Sequence, residues 1–307
     1  MPDNILFDNI VIIGPGLIGS SLARAIRENK LAKKITGYDH NQEIALEAKS
    51  IGVIDGVEND LGQAIAGADL IILATPVGAI DKLCTSLNAH AGPQSVVMDV
   101  GSIKGAITRA AQTLREDIYF VPAHPIAGTE QSGPAAGFAS LFVDRWCILT
   151  PLERDDKAYR LAVARIETLW LSIGSMVEKM DADHHDLALA ITSHLPHLIA
   201  FTLVGAADDL ESVNEAEIIK YSAGGFRDFT RIAASDPTMW RDVFLNNKEA
   251  VLEVLGRFTE ELAVLQRAIR WGDGDKLSQV FTRGRALRQA IVEAGQETDE
   301  PNFGRDG

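Results

Sequence analysis

Residues 10–21, IVIIGPGLIGSS, constrain this chain more than any other stretch. Ile10, Val11, Ile12 and Ile13 form an unbroken β-branched apolar run, the pattern of a strand buried on both faces. Gly14, Gly16 and Gly19 follow at the G-x-G-x-x-G spacing. The first glycine permits a tight turn, the second lets backbone approach a pyrophosphate, and the third lets the next helix pack closely on its strand. A helix starting at Leu17 and Ile18 points unbonded N–H groups and its positive dipole end at that phosphate. The spacing alone is a weak signal, and the full pattern needs an acidic residue about 20 positions further on. Asp39 supplies it, at the end of a strand over residues 35–38. Its carboxylate is placed to bond ribose hydroxyls and to repel a 2'-phosphate, and no Arg or Lys follows among His40, Asn41 and Gln42. NAD is therefore the expected cofactor.

Short helices are expected over 42–50 and 61–66, with a brief strand at 53–54. Buried strands are read at 69–74, 96–100 and 118–121, and later strands at 146–149 and 176–178, separated by a helix over 156–171. The strand at 69–74 ends in Thr75 and Pro76, which as residues beyond a strand's carboxyl end are candidates for cofactor contact. This alternation predicts an α/β fold, an N-terminal doubly wound Rossmann-type parallel sheet, over residues 1–180. From 181 to 295 the periodicity is helical, with helices over 183–207, 215–221, 237–245, 248–270 and 275–294, which makes an all-α domain. Asp236 before Pro237 is a strong helix start. Val251, Leu255, Phe258, Leu262, Leu265 and Ile269 form a narrow apolar seam suited to helix-on-helix packing, within one subunit or across a dimer. Residues 296–307 are polar and read as a disordered tail.

The 46% hydrophobic content of these 307 residues is ample for a core. A net charge of −14 with no basic stripe argues against nucleic acid, so an anionic substrate would need its own local cations. No apolar run approaches the ~18 residues of a membrane span, and Asp3 and Asp8 stand where a signal peptide would be basic. A cytoplasmic protein is expected. Cys84 and Cys147 are few, distant and set in apolar sequence, as reduced buried thiols are.

Ligands of open α/β sheets sit beyond the carboxyl ends of the strands. Ser102 follows the fifth strand there, and His124 follows the sixth, held extended between Pro122 and Pro125. A histidine near neutrality suits removal of the proton from an alcohol whose carbon loses hydride, and Ser102 could orient its ring. His184, His185, His194 and His197 invite a metal reading, with His194 and His197 at i and i+3, but no Cys or H-E-x-x-H pattern completes a site and Pro196 lies between the last two; no metal is expected.

The segments GPGLIGSS, DVGSIK, HPIAGTEQSG, SHLPH and GGFRDFTRIAASDPTMW together resemble the prephenate and arogenate (cyclohexadienyl) dehydrogenases of tyrosine biosynthesis, over roughly residues 8–294. The resemblance implies NAD-dependent oxidative decarboxylation of prephenate, arogenate or both, and a helical domain that forms a homodimer. It gives His124 the role of catalytic base and Ser102 that of its hydrogen-bond partner. It places Thr129 and Glu130 in the substrate pocket, His197 at the substrate side chain and Arg231 at the ring carboxylate. It matches Trp240 to a tryptophan reaching the other subunit's site. Arg227 and Arg241 add to the positive field unless Asp228 and Asp242 pair with them. Two alternatives use the same domain plan. A β-hydroxyacid dehydrogenase would carry a lysine after a glycine-rich helix start, absent near Asp181. A nucleotide-binding module without catalysis would not need His124, Ser102 and Arg231 together.

Overall fold

The computed structural model describes residues 5–129, 131–209 and 220–293. The chain divides into two compact units, Met1–Val251 and Leu252–Gly307. In the first, six strands form a wholly parallel sheet: β1 (Phe7–Ile13), β2 (Ala32–Tyr38), β3 (Gly56–Val57), β4 (Leu70–Leu73), β5 (Val96–Asp99) and β6 (Tyr119–Val121). Their order is β3-β2-β1-β4-β5-β6, so the winding reverses between β1 and β4. That is the doubly wound arrangement the alternating pattern predicts. Residues 10–13 are at most 2% exposed, and each such side chain contributes roughly 1.5–3 kcal/mol by its burial. The helices between the strands, among them α1 (Leu17–Glu28), α2 (Gln42–Ser50), α3 (Leu61–Ile65), α4 (Ile80–His90) and α5 (Gly105–Ala111), cover both faces and make two apolar layers.

Two strands depart from the predicted sheet. Pro122 has no N–H to continue the ladder beyond β6, and the chain starts again as β7 (Ala123–Pro125). β7 pairs antiparallel with β8 (Trp146–Leu149), which pairs parallel with β9 (Met176–Lys179). β8 and β9 therefore form a separate three-stranded mixed sheet with β7, not a continuation of the parallel one, and α6 (Lys157–Ser172) joins them. The brief strand expected at 53–54 lies instead at Gly56–Val57. The Val53 N–H caps the end of α2 at Ala48 O, and Asp55 supplies the first link to Ile35, so Val53 and Ile54 serve as core.

After β9 the described residues hold helices and no strand. α7 (Ala182–Leu189) runs through a π-turn (Ala190–His194) into α8 (Leu195–Asp208). Pro196 cannot donate to the carbonyl four residues back, which accounts for a widened turn at this point. By length and composition this continuous helix, Ala182–Asp208, is apolar enough to cross a bilayer, which reading for unbroken apolar runs missed. Its buried histidines pack into the sheet-bearing unit, as described below. Shorter helices follow at Gly224–Thr230 and Pro237–Asn246, the latter capped by the Asp236 side chain as expected. Most of the predicted helix at 215–221, and the tail at 296–307, lie outside the described residues.

The architecture changes from strands to helices near Met180, yet the compact unit runs on to Val251, because the next helices are hydrogen-bonded to the sheet domain through Asp186. The second unit contains the remainder of helix Lys248–Trp271 and helix Gly274–Glu293, joined through Gly272 at φ +69°. Its Leu262, Ile269, Trp271, Phe281 and Leu287 side chains are exposed in the single chain.

Candidate active site

Two sites lie at the carboxyl ends of the parallel strands. The first is the turn after β1. Gly14 has φ +90°, and a Cβ there would stand 2.5 Å from Ala74 O, beside Thr75. A Cβ on Gly19 would overlap Gly14 O, whereas one on Gly16 would meet nothing within 4 Å. Two glycines thus close the β1–β4 crevice and the third leaves room at the start of α1. That helix has no side-chain cap and no acidic residue in its first turn, so its N–H groups are available to an anion. Asp39 lies just past β2 with a side chain 10% exposed; its Oδ1 accepts the Asn41 N–H at 2.9 Å and faces His40 Nδ1 at 3.1 Å. Thr75 and Pro76 border the crevice beyond β4. These residues fit the diphosphate and adenosine ribose of NAD.

The second site is a chain of buried histidines. β7 is stiffened by proline and paired to β8, and it holds His124, 9% exposed, at its centre. His124 Nδ1 lies 2.8 Å from His185 Nε2, and His185 Nδ1 lies 2.8 Å from Asp186 Oδ1. Asp186 is kept ionised because His185 and the backbone N–H groups of Lys104 and Gly105 at the start of α5 outweigh its burial; these N–H groups donate at 2.7 and 2.8 Å. An acceptor-only carboxylate requires the proton of His185 on Nδ1, so His185 Nε2 accepts from His124 Nδ1–H. His124 Nε2 is left as a lone pair. No bond to it is found among the described residues, and it is not among the fully buried orphaned atoms, so it keeps some accessibility. Burial, with neighbouring His185, Lys104 and His194, holds the His124 imidazole well below its ordinary pKa and therefore neutral.

This differs from the expected pairing of Ser102 with His124. The histidine's bonded nitrogen is taken by His185, and no bond joins Ser102 to it among the described residues. Ser102 is half-buried next to Ile103, which packs on Trp240 and Val243. Sequence reasoning missed His185, Asp186 and Lys104, treating His185 only as one histidine of a possible metal group. Residues nine apart on an unbroken α-helix lie about half a turn out of phase, yet His185 and His194 are both essentially buried. The π-turn takes up part of the difference, and its position is not written in any periodicity.

His194 Nδ1 bonds Asn247 at 3.1 Å and its ring meets Trp240 edge-on at 6.0 Å. Trp240 stacks on His197 with centroids 3.7 Å apart. It is 7% exposed and lies against His194 and His197 of its own chain. His194 Nε2 and Trp240 Nε1 are buried with no hydrogen-bond partner among the described residues, and each unmet donor costs about 1–3 kcal/mol. His197 donates from Nδ1 to Ser193 O at 2.9 Å, and Arg231 is near enough to help depress its pKa, after burial. Arg227 and Arg241 pair with Asp228 and Asp242 at 3.1 and 2.7 Å. Thr129 accepts the Gln131 N–H and bonds no member of the cluster; Glu130 lies outside the described residues. No group of three or more His, Cys, Asp or Glu side chains suited to a metal ion is found among the described residues.

Comparison with known proteins gives the family. Residues 22–179 match the family model of the prephenate dehydrogenase nucleotide-binding domain, and residues 181–283 that of the prephenate dehydrogenase dimerization domain. The chain belongs to the prephenate dehydrogenase family. It is 40% identical to a cyclohexadienyl dehydrogenase of Zymomonas mobilis, over 93% of this chain and 97% of that one. A crystal structure of prephenate dehydrogenase from A. aeolicus in complex with hydroxyphenyl propionate and NAD+ superposes with a TM-score of 0.85 at 33% identity, covering 92% of this chain and 98% of the other. Synechocystis arogenate dehydrogenase superposes at 0.76 with 27% identity, over 92% and 99%. As a member of the prephenate dehydrogenase family, the protein is an NAD-dependent oxidoreductase of tyrosine biosynthesis acting by oxidative decarboxylation.

Proposed function

We propose that His124 is the general base in the oxidative decarboxylation of prephenate, arogenate or both. The observation that carries this reading is the His124–His185–Asp186 chain, which leaves a neutral imidazole whose Nε2 lone pair is not taken by any described residue. Nε2 takes the proton of the substrate's ring hydroxyl, and the imidazolium so formed is stabilised through His185 by the Asp186 carboxylate. Bound NAD supplies the acceptor for hydride from C4. The ring carboxylate leaves as CO2, its bonding electrons make the ring aromatic, and His124 returns the proton to the phenolate oxygen. Arg231 binds the ring carboxylate as a guanidinium can, in a protein whose net charge otherwise repels a dianion. His197, held against Trp240, contacts the substrate side chain; Ser102, Thr129 and Glu130 line the same pocket. Gly14, Gly16, Leu17, Ile18, Gly19, Asp39, Thr75 and Pro76 hold the cofactor.

Residues 1–180 serve as the NAD-binding domain and 181–295 as the substrate and dimerisation domain. The exposed apolar side chains of the second unit, with the match to a dimerization-domain model, support a homodimer. Sedimentation equilibrium at assay concentration is expected to give a dimer, and a monomer contradicts it. Buried free thiols at Cys84 and Cys147 suit the reducing cytoplasm, where we place the protein.

The test is NADH formation by purified protein from prephenate and, separately, from arogenate, with NAD and with NADP. Turnover with NAD and little with NADP is expected from Asp39, and the ratio of kcat/KM values assigns the substrate. Folded protein that binds NAD and turns over neither substrate overturns the reading.

A further inference from the structure

Lys104 is fully buried and joins both halves of the histidine chain. Its ammonium is ion-paired with the Asp99 carboxylate and donates to Ala123 O at 2.8 Å. Asp99 in turn accepts the Ala123 N–H at 3.2 Å and the Gly101 N–H at 2.8 Å. The ion pair thus binds both backbone polar groups of the residue before His124, where Pro122 has broken the ladder of the main sheet. The backbone N–H of Lys104 donates to Asp186 at 2.7 Å, and Asp186 orients His185. One residue therefore references the strand that carries His124 and the carboxylate that sets the tautomer of its partner.

We infer that Lys104, with Asp99, is a positioning residue for the dehydrogenase reaction: it holds His124 through Ala123 and His185 through Asp186, and so sets the bond that leaves His124 Nε2 free. This rests on the reading of His124 as base. Packing alone does not explain the pair. Desolvating two charges is expensive, and an apolar pair of equal volume commonly gives equal or greater stability. Such a pair can neither bond both groups of Ala123 nor place a positive charge beside the imidazole. The titratable groups that bear on His124 are Lys104 at the start of α5, His185 from α7 and His194 from the π-turn, and Asp99, Asp186 and Cys147 bear in turn on Lys104. Burial pushes the Cys147 thiol up, so it is neutral. Burial lowers the Lys104 pKa and raises that of Asp99, and the attraction within the pair opposes both shifts; the ammonium so held opposes protonation of His124.

The experiment uses the full chain with NAD and its better substrate. Lys104→Met alone strands a carboxylate in the core, so the deciding variant is Lys104→Met with Asp99→Asn, which leaves no unpaired buried charge. A fall in kcat of about tenfold to a hundredfold is expected from loss of alignment, with NAD affinity unchanged within about twofold. The acid limb of the kcat/KM profile moves to higher pH, because Lys104 is among the charges that depress the His124 pKa and Asp99, lost with it, is not. Wild-type kcat with an unmoved limb overturns the inference. So does lower thermal stability with an unmoved limb, which would make the pair scaffolding only. His124→Asn run in parallel separates the two readings. If that variant keeps turnover, the base assignment fails; if it is inactive while the double variant behaves as wild type, only the role of Lys104 fails.

Discussion

Replacing His124 with asparagine is expected to leave a folded protein that binds NAD normally and to lower kcat by about 10²–10⁴-fold, the usual contribution of a positioned general base. That is about 3–5 kcal/mol of transition-state free energy. The substitution is chosen for its geometry. The asparagine amide can still donate to His185 Nε2, as His124 Nδ1 does at 2.8 Å, so the partner is not orphaned. What disappears is the lone pair at Nε2. In the wild-type enzyme the pH profile carries a second signature. Burial, then His185, Lys104 and His194, depress the His124 pKa well below 6.5, so the base is neutral throughout the neutral range and activity declines only when pH falls through that lowered value. The residual activity of His124→Asn should lack this acid limb. Stopped-flow NADH absorbance from pH 5 to 8 checks both, and turnover within a few-fold of wild type removes His124 from the mechanism.

Asp186→Asn is expected to be nearly as damaging although Asp186 touches no reacting atom. Its two oxygens accept from Lys104 N–H, Gly105 N–H and His185 Nδ1–H, three donors with no acceptor among them. An asparagine must turn its NH2 toward one side. Facing Gly105, it sets donor against donor at the start of α5. Facing Lys104 and His185, it forces His185 to carry its proton on Nε2, which donates to His124 Nδ1 and obliges His124 to carry its proton on Nε2. The base is then blocked by its own proton. The wrong-tautomer outcome predicts a kcat loss of about 10²–10⁴-fold, together with about 1–3 kcal/mol of stability for the unmet donor. Tautomers read by ¹⁵N NMR of the histidines, beside kcat and the urea midpoint, decide the matter. A variant with reversed His185 tautomer and full activity would show that the chain plays no part in catalysis.

The nucleotide site was legible in the sequence because its signal is local. Three glycines, a buried strand and an acid about 20 residues on are all properties of one βαβ unit, and the structure finds each where the spacing puts it: Gly14 and Gly19 without room for a side chain, Gly16 open, Asp39 past β2. His124 was legible for a related reason, since prolines at 122 and 125 and a strand end fix its backbone. The strands at β8 and β9 were found with nearly correct bounds and assigned to the wrong sheet. A strand's apolar pattern reports that it is buried, and not which neighbour buries it; the break at Pro122 and the antiparallel return of β8 made that choice.

Local order in the chain thus established the fold class, the cofactor domain and the histidine at a strand end, because each depends on residues close in sequence. The partner of that histidine did not follow, nor did its tautomer. His124 and His185 meet across 61 residues, Lys104 and Asp186 across 82, and a π-turn shifts the phase between His185 and His194. These depend on how a helix from the second half of the chain docks on the end of a sheet from the first. No short-range pattern carries that information, because the free energy that selects it is spread over long-range contacts formed only in the folded protein.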